Sequence, residues 1–223
     1  MDLIILGRNT AIEEAVHCAG HTNECIPFVP GRTDALQSNM DVTSFNVLQP
    51  LMNGLRNCEG SSDVRPESSS VDRAHLLTLT TPEMVALVGG LRVLNANTDK
   101  SLVGVLTDCP GVLTTDFFTN LLGDSTVWSP VGDGKLFKGS RSAGQPWKAS
   151  RVDLVMGSNS QLRAISEAYA SADSSQYFVK DFINAWTKVM MLDRFDLLQA
   201  RNAEETTTET FLLRSPERHV SKL

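Results

Sequence analysis

Apolar residues recur at steps of three and four along most of this chain, the spacing that keeps them on one face of an α-helix. Leu3, Leu6, Ile12, Ala15 and Val16 predict a first helix that Asp2 can cap and Gly20 can end. Pro27, Pro30 and Gly31 then mark an irregular connection, and a short helix is expected after Asp41, with Phe45 and Leu48 facing inward. Residues 59–70, EGSSDVRPESSS, have almost nothing to bury. They read as a surface loop and a site for proteolytic nicking, with Ser70 opening a helix over Val71 to Thr78.

The clearest helix start follows. Thr81 reads as the N-cap, Pro82 as the first helical residue and Glu83 as a complement to the helix dipole. Behind them Met84, Leu87, Val88, Leu91 and Leu94 share one side, which places this helix in the core. Thr115 is expected to cap a short helix bearing Phe117, Phe118, Leu121 and Leu122. Over residues 125–150 the helical period breaks, and Trp128, Phe137 and Trp147 sit among glycines and prolines, as in small strands or a hairpin. From Arg151 it returns, with Leu162, Ile165 and Tyr169 on one helix and Phe178, Phe182, Ile183, Trp186, Val189 and Met190 on the last long one. The predicted class is mainly α with a minor β-hairpin region: one domain over residues 1–198, then a polar, flexible tail over 199–223.

Composition narrows the function classes. With 223 residues, 41% of them apolar, the chain can bury one good core. A formal charge of −6 offers no basic field for a phosphate backbone, so no nucleic acid partner is expected. Cys18, Cys25, Cys58 and Cys109 lie far apart without a C-x-x-C pair, which suits a reducing, intracellular setting better than a disulfide framework. The apolar run at Met1–Leu6 follows no basic residues and ends at Gly7, too short for a signal or a span, so no membrane partner is expected either.

Several local patterns invite chemistry. His17, Cys18, His21 and Cys25 carry good zinc ligands, but their spacing fits no zinc motif and a helix end with incidental side chains accounts for them. Gly132, Gly134 and Gly139 read as turn glycines, since no Lys-Ser/Thr pair of a phosphate loop follows. Phe178, Phe182 and Trp186, four apart, read as one core-facing stripe.

The stretches PFVPGRTDA, LTLTTPEMVALVGGLRVLNAN, GVLTTDFFTNLL, RVDLVMGSNSQLR and FVKDFINAWTKVMMLDRFDLL closely resemble the C-terminal half of catalase-peroxidases, over about residues 2 to 198. That resemblance implies a haem-peroxidase-like helical fold. In this family the chain is a fused duplication, whose N-terminal copy holds haem b and reacts with peroxide while the C-terminal copy has lost haem.

The resemblance can be tested position by position. The family's proximal histidine follows a Gly-Gly pair, and the matching string here is Val88-Gly89-Gly90-Leu91, so Leu91 stands at the iron ligand's place. The carboxylate that orients such a histidine is matched to the stretch Gly157-Ser158-Asn159-Ser160, which has no Asp. The distal histidine and arginine belong to a helix before the segment matched by Asp2–Gly20, which implies a chain incomplete at its N-terminus. Arg8-Asn9 depart from the family's small residues, as a change on a helix face or loop.

The expectation is a domain without catalytic, cofactor-binding or metal-ligating residues, inactive alone, which packs against the catalytic haem domain in a homodimeric parent enzyme. An active haem peroxidase ligated by His75 is the rival from the enzyme class, with His75 otherwise a half-buried helix histidine. The chain ends Ser221-Lys222-Leu223, the tripeptide read by the peroxisomal import receptor. That ending predicts a peroxisomal location, with the cytoplasm as the alternative, and admits a stand-alone peroxisomal interaction module as a third reading.

Overall fold

The computed structural model describes residues 1–33, 36–48, 65–124, 126–141 and 144–197. Met1–Val189 forms one compact unit, and the chain from Met190 onward forms a second. In the second unit, Arg194 donates to the Asp196 carboxylate at 2.8–2.9 Å and holds its pKa down at about 2.

In the first unit the helices are α1 (Asp2–Cys18), α2 (Val42–Leu48), α3 (Pro66–Leu76), α4 (Thr81–Val93), α5 (Asp116–Leu122), α6 (Arg151–Ser158), α7 (Ser160–Ala170) and α8, which begins at Ser175 and ends at Met190 on the unit boundary. Between α5 and α6 lies an antiparallel three-stranded sheet of β1 (Trp128–Val131), β2 (Leu136–Gly139) and β3 (Trp147–Ser150). Trp128 stands opposite Gly139, and Gly139 opposite Trp147. Gly132 and Gly134, both at positive φ, form the β1–β2 turn.

α4 is the core. Every residue from Met84 to Val93 is buried, so it is enclosed on all sides and not only along the predicted stripe. Its start is a full capping box. The Glu83 N–H donates to Thr80 Oγ1 at 3.4 Å, and the Thr80 N–H donates to Glu83 Oε2 at 2.7 Å. The cap is therefore Thr80, one residue before the expected Thr81. A cap of this kind contributes about 1 kcal/mol. Glu83 also accepts from Lys188 Nζ at 2.9 Å, which ties α8 to the head of α4.

Glycine costs a helix interior about 0.5–1 kcal/mol relative to alanine, yet α4 carries two in succession. Close packing requires both: a Cβ at Gly89 would lie 2.3 Å from the Phe118 ring, and one at Gly90 would lie 2.2 Å from the Phe182 ring. Phe118 stacks edge-on with Phe117 and Phe178, at centroid separations of 5.2 and 5.4 Å, and Tyr169 lies 5.2 Å away. The predicted stripe on α8 is thus core, and Trp186 closes it by donating from Nε1 to Asn9 on α1 at 3.0 Å. Asn9, expected on a helix face or loop, is buried by this contact.

Other expectations shift for local reasons. Asp2 does not cap α1; it is the first helical residue, and its carboxylate accepts from the Gly31 and Arg32 backbone, anchoring the Pro27–Arg32 connection. α2 does follow Asp41, whose carboxylate accepts from Ser44, but Phe45 is 59% exposed and does not face inward; the Leu48 side chain lies outside the described residues. α3 starts at Pro66, inside the expected loop, because Pro66 suits the first turn and Glu67 finds Arg151 at 2.9 Å. Thr115 precedes α5 without a side-chain capping bond. Residues 59–64 and the predicted tail 199–223 lie outside the described residues.

Candidate functional site

The most constrained polar group in the core lies at the C-terminal end of α4. Arg92, next to Leu91, and Asp153, in the first turn of α6, are both fully buried, and Arg92 Nε donates to Asp153 Oδ1 at 2.7 Å. Arg92 Nη1 donates to Asn97 Oδ1 at 2.9 Å, and Asn97 Nδ2 in turn donates to the carbonyls of Ser101 and Val103. On the other side, Asp153 Oδ2 accepts from the Ser150 N–H at 2.8 Å and from the Ser150 hydroxyl at 2.7 Å. Each carboxylate oxygen is therefore engaged, one by a cation and one by a capping box.

Backbone closes over the pair. Gly104 sits at φ +79°, with its N–H donating to the Lys148 carbonyl at 2.7 Å; a Cβ there would lie 2.6 Å from Arg92 Nε and 2.7 Å from Asp153 Oδ2. Hydrogen bonds on both partners are what let a buried ion pair persist, because desolvation otherwise exceeds the Coulombic gain. The arrangement joins the end of α4, the 97–104 loop, β3 and α6.

The residues singled out from the sequence are dispersed. Leu91 is buried at the end of α4. Asn159, matched to the orienting carboxylate, instead caps α7, its Oδ1 accepting from the Gln161 and Leu162 N–H groups at 3.1 Å. His75 is exposed near the end of α3, not half-buried. Cys18 donates to Glu14, Cys25 to Glu13, and His21 Nε2 lies 2.9 Å from Ser175 Oγ, so these side chains do not converge. In both cysteines the thiol pKa is raised, by burial and then Glu14 in Cys18 and by Glu13 in Cys25. Ser221, Lys222 and Leu223 lie outside the described residues.

Sequence reasoning passed over Arg92, Asp153 and Asn97. Two signals were available: a lone charge in the apolar run from Met84 to Leu94, and the spacing Ser150-x-x-Asp153, which a capping box shares. A second feature is a mostly apolar cleft of about 550 Å³ between α7 and α8, where the Tyr169 hydroxyl donates to Asp181 at 2.7 Å. Burial, and then the Asp181 carboxylate, push the Tyr169 phenol above its usual range.

The exposed ion pairs predict an acid response. The hydrogen bond from Arg151 holds the Glu67 carboxyl below its ordinary pKa of 4.5. For Glu83 burial acts upward, but hydrogen bonds from Lys188 and Thr80 outweigh it and the net shift is down. Lowered folded values mean stability that is complete above the unfolded pKa and is lost as pH falls through the folded one. Glu67→Gln is therefore expected to cost about 0.2–1 kcal/mol at neutral pH. Thermal melts should show this deficit begin to shrink as pH falls below 4.5 and disappear once Glu67 is protonated in the folded chain as well; a deficit independent of pH would overturn the ion-pair account.

A model of the peroxidase family matches residues 1–172. The chain belongs to that family. It is similar to catalase-peroxidases: 54% identical over 199 residues to one from Aspergillus fumigatus, and 54% over 200 residues to one from Xanthomonas campestris. A catalase-peroxidase of Acidiphilium cryptum is 52% identical over 199 residues. These alignments cover 88% of this chain but 26–27% of the relatives, so the chain spans about a quarter of their length.

The residues at the position matched to the iron ligand do not fit a haem. The side chain there is the aliphatic Leu91, the two glycines before it are packed by the Phe118 and Phe182 rings, and the residue after it is locked to Asp153.

Proposed function

We propose that this chain is the haem-free C-terminal copy of a catalase-peroxidase and supports the catalytic haem copy without chemistry of its own. The parent reaction is the dismutation of hydrogen peroxide to water and oxygen, with peroxidase turnover of small donors, in a homodimeric enzyme. The observation that carries this reading is the end of α4, where the aliphatic Leu91 stands at the place matched to the iron ligand and the next residue, Arg92, is locked to the buried Asp153.

The test is reconstitution. The separately prepared catalytic domain is expected to gain catalase activity, and a sharper Soret band, on mixing with this chain. No change in either would overturn the supporting role. The terminal Ser221-Lys222-Leu223 supports a peroxisomal location reached through the import receptor. A fluorescent fusion bearing this tail should become punctate and turn diffuse when Leu223 is deleted; a diffuse intact fusion would overturn the location.

A further inference from the structure

We infer that haem is excluded from this fold by two separate closures, the aliphatic side chain at Leu91 and the capture of Asp153 by Arg92, so that a histidine at position 91 alone makes only a weak iron site and a firm one also needs Asp153 released from Arg92. The inference rests on the haem-free reading above and goes beyond it, because it assigns a specific role to a residue pair.

The stretch matched to the orienting carboxylate contains no Asp, but a fully buried carboxylate lies six residues before Asn159, at Asp153. The framework has therefore kept a carboxylate facing the end of α4. An imidazole bound to iron needs such a group to accept its second N–H, which sets its tautomer and raises its basicity. Here both oxygens are already committed. Arg92 Nε holds Oδ1 at 2.7 Å, and the Ser150 N–H and hydroxyl hold Oδ2 at 2.8 and 2.7 Å. The planar guanidinium presents its donors in a fixed fork, which keeps Nε directed at Oδ1. Gly104 seals the arrangement, with no room for even a methyl group between its backbone and the pair.

The experiment is haemin titration of the full chain, followed at the Soret band, for wild type, L91H and L91H/R92S, each checked for folding by circular dichroism. Wild type is expected to give no specific band. L91H is expected to bind weakly, and L91H/R92S to bind about 10–100-fold more tightly than L91H, the range over which outer-shell partners change metal affinity. If L91H/R92S does not fold, L91H/R92L replaces it, an apolar side chain with no donor toward Asp153.

A specific band from wild type would sink the haem-free reading itself. Equal affinity in L91H and the folded double variant would leave that reading standing and overturn the role of Arg92. Absence of binding in both would also overturn it, because the rings on Gly89 and Gly90 would then be the closure that matters.

Discussion

Asp153→Ala is expected to lower the free energy of unfolding by about 3–5 kcal/mol, the range found when one partner of a buried ion pair is removed. The side chain makes two contributions that fail together. Arg92 would keep a buried guanidinium with no counter-charge at Nε, and the Ser150 N–H would lose the acceptor that closes the α6 capping box. Replacing both partners, as in Arg92→Leu with Asp153→Leu, should recover much of the loss, since buried pairs are often matched or exceeded by apolar residues of similar volume. Asn97 limits that recovery, because its Oδ1 accepts from Arg92 Nη1 and would lose that donor. Urea denaturation measures both effects: the midpoint should fall with an unchanged slope in the single variant and rise again in the double. A single-variant cost below about 1 kcal/mol would mean that the pair is held no more firmly than a surface contact.

Phe118→Ala should cost a similar amount, about 3–5 kcal/mol, through lost burial and the cavity left behind. Phe118 is fully buried where α4, α5, α7 and α8 meet, with rings from Phe117, Tyr169 and Phe178 within 5.4 Å of its own. Its coupling to Gly89 gives a sharper test. Gly89→Ala alone overpacks, because the new methyl would meet the Phe118 ring at 2.3 Å, and overpacking costs about 1–3 kcal/mol. In the Phe118→Ala background the same methyl enters vacated space and gains helix propensity, so the substitution should become neutral or stabilising. A double-mutant cycle reads this directly: an interaction energy near zero would show that the two positions do not share a contact.

Much of the fold is legible from spacing alone. The main helices stand where the spacing predicts them, although α3 starts inside the expected loop and the helical stretch from Arg151 divides into α6 and α7; the period breaks where the small sheet stands, and Phe178 and Phe182 are buried with the partly buried Trp186 packed against them. Boundaries slip where a side chain finds a distant partner. Glu67 reaches Arg151, 84 residues away, and Asp2 reaches the Gly31 and Arg32 backbone; neither partner is visible from the helix being read. Phe45 was expected inside on local period and stands outside, since a seven-residue helix carries too little pattern to say which face is covered.

The candidate site was less legible. Leu91 was found because two glycines mark it, and those glycines have a measurable reason in the rings packed against them. Asp153 lies six residues before Asn159, the residue matched to the orienting carboxylate, which performs an ordinary cap. Spacing cannot distinguish a carboxylate that only caps from one that also holds a buried cation.

The sequence by itself determined the class and the positions of the main helices, because periodicity and capping act over three or four residues. It also carries the strings that resemble catalase-peroxidases and the terminal tripeptide. Only the tertiary structure decided that Arg92 and Asp153, 61 residues apart, meet with both side chains fully buried, and that α4 is covered on every side. The physical reason is that burial and charge pairing depend on what the rest of the chain brings to a residue, and neither leaves a period to read.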